Sequence, residues 1–137
     1  MNRRDLQDLS RTRLNEAKAL LEGNYPDGAY YLAGYAIECA LKACIAKSTL
    51  RHDFPEKKKV DASHTHSLRD LLKVANLEQA NVEQGKRDPL FRNSWDVVQS
   101  WSEQSRYGRH DLERAKELLK AVDDKRHGVM VWIKRHW

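Results

Sequence analysis

The sequence has little of what marks several classes of protein. Its 137 residues include only 2 cysteines, 3 prolines and 6 glycines, and no run approaches the roughly 20 apolar residues that span a bilayer. The first residues lead into an amphipathic segment that has no apolar signal-peptide core. Internal repeats and low-complexity tracts are also absent. We therefore expect a cytoplasmic protein with no membrane partner.

The few potential metal ligands are poorly placed. Cys39 and Cys44 lie five residues apart on a predicted helix, so their side chains diverge by about 140° around its axis. That is poor geometry for a disulfide, and two thiols alone cannot complete a zinc site. His64 and His66 form an isolated His-x-His motif, which favours loop or capping roles. We expect reduced, buried cysteines, no metal and no cofactor.

The charge balance is basic, with a formal net charge of +5. This permits a phosphate-bearing partner but does not require one. The basic residues are scattered, and the single clean run, 57–59, is typical of a solvated surface. Of its residues, 40% are hydrophobic and 33% are charged, a balance typical of a folded protein with a polar surface. The chain is also long enough to bury a core, and we expect one domain over residues 1–137.

Hydrophobic periodicity predicts helices in the first half of the chain. The segment Leu6–Glu22 has one apolar face, and Gly23-Asn24-Tyr25-Pro26 ends it with a left-handed cap. The segment Asp27–Ser48 is apolar or small nearly all round, which indicates a central helix. We interpret residues 49–65 as a charged connection that contains Pro55.

Two shorter helices are predicted next. Ser67 begins one of them as a capping residue. After a polar stretch, Asp88 and Pro89 begin the other, because proline is favoured at the first helical position. No segment alternates with the two-residue period of a strand.

A last helix follows the break at Gly108. Asp111 or His110 is expected to cap it, and its apolar pattern continues past Gly128 almost to Trp137. The other tryptophans fall at helical spacings typical of a core, whereas Trp137 is our candidate for a subunit contact. The sequence thus predicts an all-α fold, an up-and-down bundle of four to five helices.

A polar stripe runs along the central helix. Tyr31, Tyr35, Glu38 and Lys42 are spaced i, i+4, i+7 and i+11, so they share one face. The carboxylate needs a partner there, because an isolated buried charge is very costly. Two interpretations stay open, an internal Glu38–Lys42 pair or a stripe that faces a cation elsewhere, such as Arg106.

Basic, aromatic and titratable residues crowd the start of the last helix at Arg106, Tyr107, Arg109 and His110. A guanidinium binds phosphate oxygens bidentately, helix amides point outward, and an imidazole transfers protons near neutral pH. In metal-independent RNA cleavage, His110 would take the 2′-hydroxyl proton while Arg106 stabilised the developing charge. In the alternative interpretation, Arg106 ties down the loop and His110 caps the helix.

Four motifs occur in an order that resembles a known family. They are Gly-Asn-Tyr-Pro-Asp at 23–27, Ala-Ile-Glu-Cys-Ala-Leu-Lys-Ala at 36–43, His-Thr-His-Ser-Leu-Arg-Asp-Leu-Leu at 64–72, and Trp-Ser-Glu-Gln-Ser-Arg-Tyr at 101–107. Together with the N-terminal amphipathic helix and the long last helix, they resemble the HEPN (higher eukaryote and prokaryote nucleotide-binding) domains over most of residues 4–125.

The resemblance implies a bundle of four or five helices that commonly dimerises. Such domains are often encoded beside a small nucleotidyltransferase as a toxin–antitoxin pair. Many are metal-independent endoribonucleases that carry an arginine, four to six intervening residues and a histidine near the last helix. No histidine of this chain has an arginine at that distance, because Arg106 and His110 leave only three intervening residues.

We therefore favour a non-catalytic or weakly catalytic HEPN-like protein that forms a homodimer and binds nucleotide or RNA phosphate, a nucleotidyltransferase partner, or both. The expected phosphate-binding residues are Arg106, Tyr107, Arg109, Lys42 and His66. Glu38 and Tyr35 are expected to be structural partners of this site. The alternatives are an endoribonuclease toxin that uses Arg106 and His110, and a purely structural dimerisation module.

Overall fold

The computed structural model describes residues 1–50 and 57–137, with the backbone alone for Leu50 and residues 57–59. Within these residues the chain forms eight α helices and one 3-10 helix, with no strand, which confirms the all-α prediction. The elements are α1 (Arg3–Glu22), α2 (Pro26–Leu50), α3 (Lys57–Ala62), α4 (Leu68–Val74), α5 (Glu78–Arg87), α6 (Pro89–Gln99), the 3-10 helix (Glu103–Tyr107), α7 (Leu112–Asp123) and α8 (Val129–Ile133).

Helix α2 is the centre of the bundle, as its all-round apolar surface predicts. It contacts α1, α4, α7, α8 and the 3-10 helix. Ala33, Ala36 and Ala40 are fully buried, and their small side chains let the neighbouring helices approach closely. The buried hydrophobic residues form one cluster that runs from Leu14 to Ile133.

Polar side chains cap the helices where the sequence places them. Ser67 caps α4, Asp88 caps α6 and Asp111 caps α7. Each side-chain oxygen accepts a backbone N–H two or three residues further on, at 3.3, 3.1 and 2.8 Å respectively. These bonds satisfy amide groups that have no partner within the helix. The left-handed residue after α1 is Asn24, with φ of 65°.

Two segments interpreted as non-helical contain helices. Helix α2 continues to Leu50, and α3 forms within the supposed connection, whereas Pro55 lies outside the described residues. The polar stretch before Pro89 is α5, an exposed helix that buries Asn81 and packs on α6. Its Glu, Gln, Lys and Arg residues are good helix formers, which hydrophobic periodicity does not detect.

The prediction of one continuous last helix is wrong, because α7 ends at Asp123. The Asp124 side chain accepts the N–H groups of Arg126 and His127 at 3.0 and 2.7 Å, which turns the chain. A Cβ at Gly128 would lie 2.4 Å from the Asp124 carbonyl oxygen, so only glycine fits this turn. Helix α8 then returns its apolar residues to the core.

Trp101 lies against α2 at Gly34, just before the 3-10 helix. A Cβ at Gly34 would come within 2.3 Å of the indole ring, so the close approach requires glycine. The same indole lies 6.1 Å from the ring of Tyr31. Gly34 therefore sets where the chain enters the 3-10 helix. Among the described residues, no helix is both long and apolar enough to cross a membrane.

Candidate functional site

Glu38 is a buried carboxylate with two side-chain partners, Lys42 and His66. Its side chain is only 2% exposed. Lys42, one turn further along α2, places its Nζ 3.2 Å from Oε2. His66 places Nδ1 within 3.1 and 3.2 Å of the two carboxylate oxygens. The internal Glu38–Lys42 pair is thus confirmed, whereas the suggested partner Arg106 is wrong for Glu38, because His66 occupies that place.

His66 joins the Glu38 cluster to the 3-10 helix. It directly precedes Ser67, the cap of α4, which fixes where the imidazole enters the cluster. Its Nε2 lies 2.8 Å from Oε2 of Glu103, in the first turn of the 3-10 helix. The ring therefore bridges two carboxylates, one buried and one partly exposed. The described residues contain no group of three or more side chains placed to hold a metal ion.

The polar groups next to Glu38 on α2 are held in their neutral forms. Burial raises the pKa of Tyr35 to about 12, and the charges of Cys39 and Glu38 add to the shift. Burial followed by the Glu38 charge raises the pKa of Cys39 to about 11, and burial raises that of Cys44 to about 12. Both cysteines are free and buried, as predicted. Tyr35 and the thiols thus pack as uncharged groups.

Arg106 occupies the other end of the polar stripe. Its guanidinium carbon lies 5.7 Å from the ring centre of Tyr31 and 5.4 Å from that of Tyr107. Residues three apart on a 3-10 helix lie on the same side, so Glu103 and Arg106 share one side of that helix. Within the described part of the chain, the guanidinium has no carboxylate partner, and Tyr107 beside it is 77% exposed.

His110 is turned into the protein. Its ring stacks on Tyr30, with centres 3.9 Å apart and planes at 17°. The Nε2 atom lies 3.4 Å from the carbonyl oxygen of Ser105, and Nδ1 is buried without a hydrogen-bond partner. The backbone N–H donates to the side chain of Asp27. His110 is therefore a packed residue and does not cap α7.

Arg106 and His110 do not share a support. Arg106 rests on Tyr31 and His110 on Tyr30, and consecutive helical residues project about 100° apart. Arg106 and Tyr107 thus form one exposed group, whereas His110 packs on Tyr30, with its Nε2 3.4 Å from the carbonyl oxygen of Ser105, the residue before Arg106.

The acidic groups around Arg106 are already engaged. Glu103 contacts His66, Asp27 accepts the His110 N–H, and Asp111 caps α7. Arg109 is exposed, and the described residues offer it no acidic partner. Arg106 and Arg109 are therefore exposed guanidinium groups that have no ion-pair partner among the described residues. We call Arg106, Tyr31, Tyr107 and Arg109 the Arg106 surface.

Two contributors were missed in the sequence, Tyr30 and Glu103. Tyr30 lies beside the polar stripe rather than on it, but its ring stacks on that of His110. The guanidinium carbon of Arg114 also lies 5.5 Å from the centre of the Tyr30 ring. Glu103 precedes Arg106 by three residues, a spacing that becomes informative once the segment is known to be a 3-10 helix. Neither contact has a local sequence signal.

Comparison with known families agrees with this architecture. The family model for the HEPN domain matches residues 4–127, which is nearly the whole chain, so the protein belongs to the HEPN family. At the level of the family, this supports a role related to nucleotides or RNA. No curated protein and no solved structure matches the chain.

Proposed function

We propose that this protein binds the phosphate of a nucleotide or an RNA at the Arg106 surface and leaves bound RNA uncut. The observation that carries the proposal is the state of Arg106. Its guanidinium is exposed, it is supported by two tyrosine rings, and no carboxylate among the described residues neutralises it.

The chemistry of the surface suits this ligand. A guanidinium presents a planar set of N–H donors that matches two phosphate oxygens. Tyr31 and Tyr107 restrict its orientation through cation–π contact. The exposed ring of Tyr107 also offers a face on which an unpaired base stacks, and Arg109 adds a second unneutralised charge. The surface thus offers donors for a phosphate and an aromatic face for a base.

Lys42 and His66 act indirectly in this proposal. Both contact Glu38, so we assign them the role of polar partners of that buried carboxylate rather than direct phosphate binding. Through its contact with Glu103, His66 helps to hold the 3-10 helix that carries Arg106. Tyr35 completes the packing of the stripe against the ring of Tyr31 at 6.0 Å.

The proposal is tested by fluorescence anisotropy with a labelled single-stranded RNA and, separately, with a labelled mononucleotide. Because a charge-assisted hydrogen bond contributes about 1.5–3 kcal/mol, Arg106→Ala should weaken binding by roughly 10- to 100-fold. For RNA, the slope of log affinity against log salt should fall by about 0.7 for the lost phosphate contact. Tyr107→Ala should weaken RNA binding by stacking loss, with little change in that slope.

Arg87→Ala is the matched control, because Arg87 is an exposed arginine at the end of α5. It should change neither affinity nor salt slope beyond the small effect of one unit of net charge. If Arg106→Ala and Arg87→Ala weaken binding equally, the Arg106 surface is not the binding site and the proposal fails.

The absence of cleavage is a separate part of the proposal, supported by the packing of His110. A general base must reach the hydroxyl from which it takes a proton, and both ring nitrogens of His110 face protein. Incubation of the purified protein with total RNA should leave the RNA intact. Cleavage that disappears in His110→Ala would instead support the endoribonuclease alternative.

We further propose, from the family membership, that the protein associates either as a homodimer or with a small nucleotidyltransferase, as in a toxin–antitoxin pair. Light scattering of the purified chain measures its mass directly. A mass of one chain at all concentrations would contradict the homodimer, and the same measurement after mixing with a co-encoded nucleotidyltransferase tests the second form of association.

A further inference from the structure

A second group of chemistry-bearing residues lies between α6 and α7, and no residue of the Arg106 surface contributes to it. A cavity of about 290 Å³ opens there, close to the lower limit of about 300 Å³ for small-molecule sites. Leu90, Val97 and Ala121 provide apolar walls, and Asn93 and Ser94 provide polar ones. The apolar walls predominate.

His127 lines this cavity and is held from two sides. Its Nδ1 lies 2.7 Å from Oδ2 of Asp88, and its backbone N–H donates to Asp124 at 2.7 Å. The bond from His127 lowers the pKa of Asp88, so the carboxylate is ionised at neutral pH and accepts a hydrogen from Nδ1. In the neutral ring, Nε2 then carries the lone pair.

That lone pair is not used by the protein. Among the described residues, no hydrogen bond reaches Nε2 of His127, and the side chains of Asn93 and Ser94 are also without partners there. A carboxylate that orients an imidazole while its second nitrogen stays open is an arrangement suited to accepting a proton donor. Glu117, Lys120 and Asp124 also line the cavity and carry charges of both signs. An uncharged ligand is favoured because the walls are mainly apolar and a charged group would lose its hydration there.

We infer that this cavity binds a small, neutral, planar ring that carries one N–H or O–H donor. The ring packs against Leu90, Val97 and Ala121, and its donor forms a hydrogen bond with Nε2 of His127. This site is independent of phosphate binding, because it uses none of the same residues.

The matched probes are indole and N-methylindole, which share the ring but differ in the N–H donor. Titration into ¹⁵N-labelled protein reports both the backbone amides of α6 and α7 and the ring nitrogens of His127. Because one hydrogen bond separates the probes, indole should bind several-fold to about tenfold more tightly. Only indole should shift the Nε2 resonance as a hydrogen-bond acceptor.

Two variants make the result specific. Asp88→Asn keeps a good N-cap for α6 but removes the carboxylate that fixes the His127 tautomer, so the preference for indole should disappear. Ser94→Leu should fill the cavity and remove binding of both probes, while circular dichroism verifies that each variant is folded. Equal affinities of the two probes for the unaltered protein, or no binding up to their solubility limit, would overturn the inference.

Discussion

The two ends of the polar stripe on α2 differ in whether their charged group is buried and paired. At one end, Glu38 is buried, pairs with Lys42 and contacts the His66 ring. At the other end, Arg106 is exposed, and no described residue neutralises it. The difference indicates that the first cluster serves the fold, since a buried charge requires partners, whereas the second remains available for a ligand. Glu103, through its contact with His66, links the two ends.

The largest effect is expected when Glu38 loses both of its side-chain partners. In the double variant Lys42→Met and His66→Leu, a carboxylate that is 2% exposed stays buried without a partner. The free energy of unfolding, measured in urea, should fall by about 3–5 kcal/mol. Each single variant leaves one partner in place and should cost about 1 kcal/mol, so the loss in the double variant should exceed the sum of the two.

The double variant also allows a control for lost packing. Adding Glu38→Leu to it replaces all the buried charge with apolar groups, which is often neutral or stabilising, so most of the stability should return. Strict additivity of the two single variants, together with no recovery on adding Glu38→Leu, would show that Lys42 and His66 do not share Glu38 as a partner.

A smaller effect is expected at the link between the two ends. Glu103→Gln keeps the size of the side chain but removes its charge, and the pair with His66 is partly exposed. The unfolding free energy should therefore fall by only about 0.2–1 kcal/mol. Affinity for RNA should decrease a few-fold if His66 holds the 3-10 helix in place. An affinity that rises would show that the Glu103 charge merely repels RNA.

Arg106→Ala should have less effect on stability than on binding. The side chain is exposed and unpaired, so its removal should change the unfolding free energy by no more than about 0.5 kcal/mol, while affinity falls at least tenfold. Thermal or urea unfolding, performed on the protein used for anisotropy, makes this comparison. A loss of stability as large as that of Lys42→Met would place Arg106 with the fold and remove the contrast.

The smallest effect concerns two partly buried carboxylates, Asp88 and Asp124, that belong to neither end. Hydrogen bonding to His127 lowers the pKa of Asp88, and backbone N–H groups of His127 and Arg126 lower that of Asp124, both from an ordinary 3.8. Because the folded state binds these protons less readily, the stabilisation is complete above pH about 4 and is lost as pH falls through the lowered values. Urea unfolding from pH 5 downward should show a shallower decline in Asp88→Asn. If the unfolding free energy falls equally steeply with pH in Asp88→Asn and in the unaltered protein, the pKa of Asp88 is not lowered in the folded state.

Local patterns predict much of this fold. The apolar surface of α2 identifies the central helix, and Ser67, Asp88 and Asp111 mark helix starts, because capping depends on a few adjacent residues. Hydrophobic periodicity does not predict helix α5, because its polar helix-forming residues leave no apolar stripe. The break after Asp123 also escapes, because α8 continues the apolar pattern although the chain turns between the two helices.

The candidate site is less predictable because its contacts are distant in sequence. Glu38 and Lys42 share a helix, so their pairing follows from spacing. His66 reaches Glu38 across 28 residues, and nothing near either residue distinguishes that histidine from Arg106 as the partner. The stacking of His110 on Tyr30 likewise depends on how α7 packs against α2.

The contact between Gly34 and Trp101 limits which mutations the proposed binding surface tolerates. The indole occupies the space of any side chain at position 34 and touches the tyrosine that supports Arg106. A random mutagenesis screen for lost RNA binding should therefore recover substitutions of Gly34, a buried position that meets no ligand. Evolutionary change at this surface is therefore limited by a buried position, because the space at residue 34 admits only the hydrogen atom of glycine.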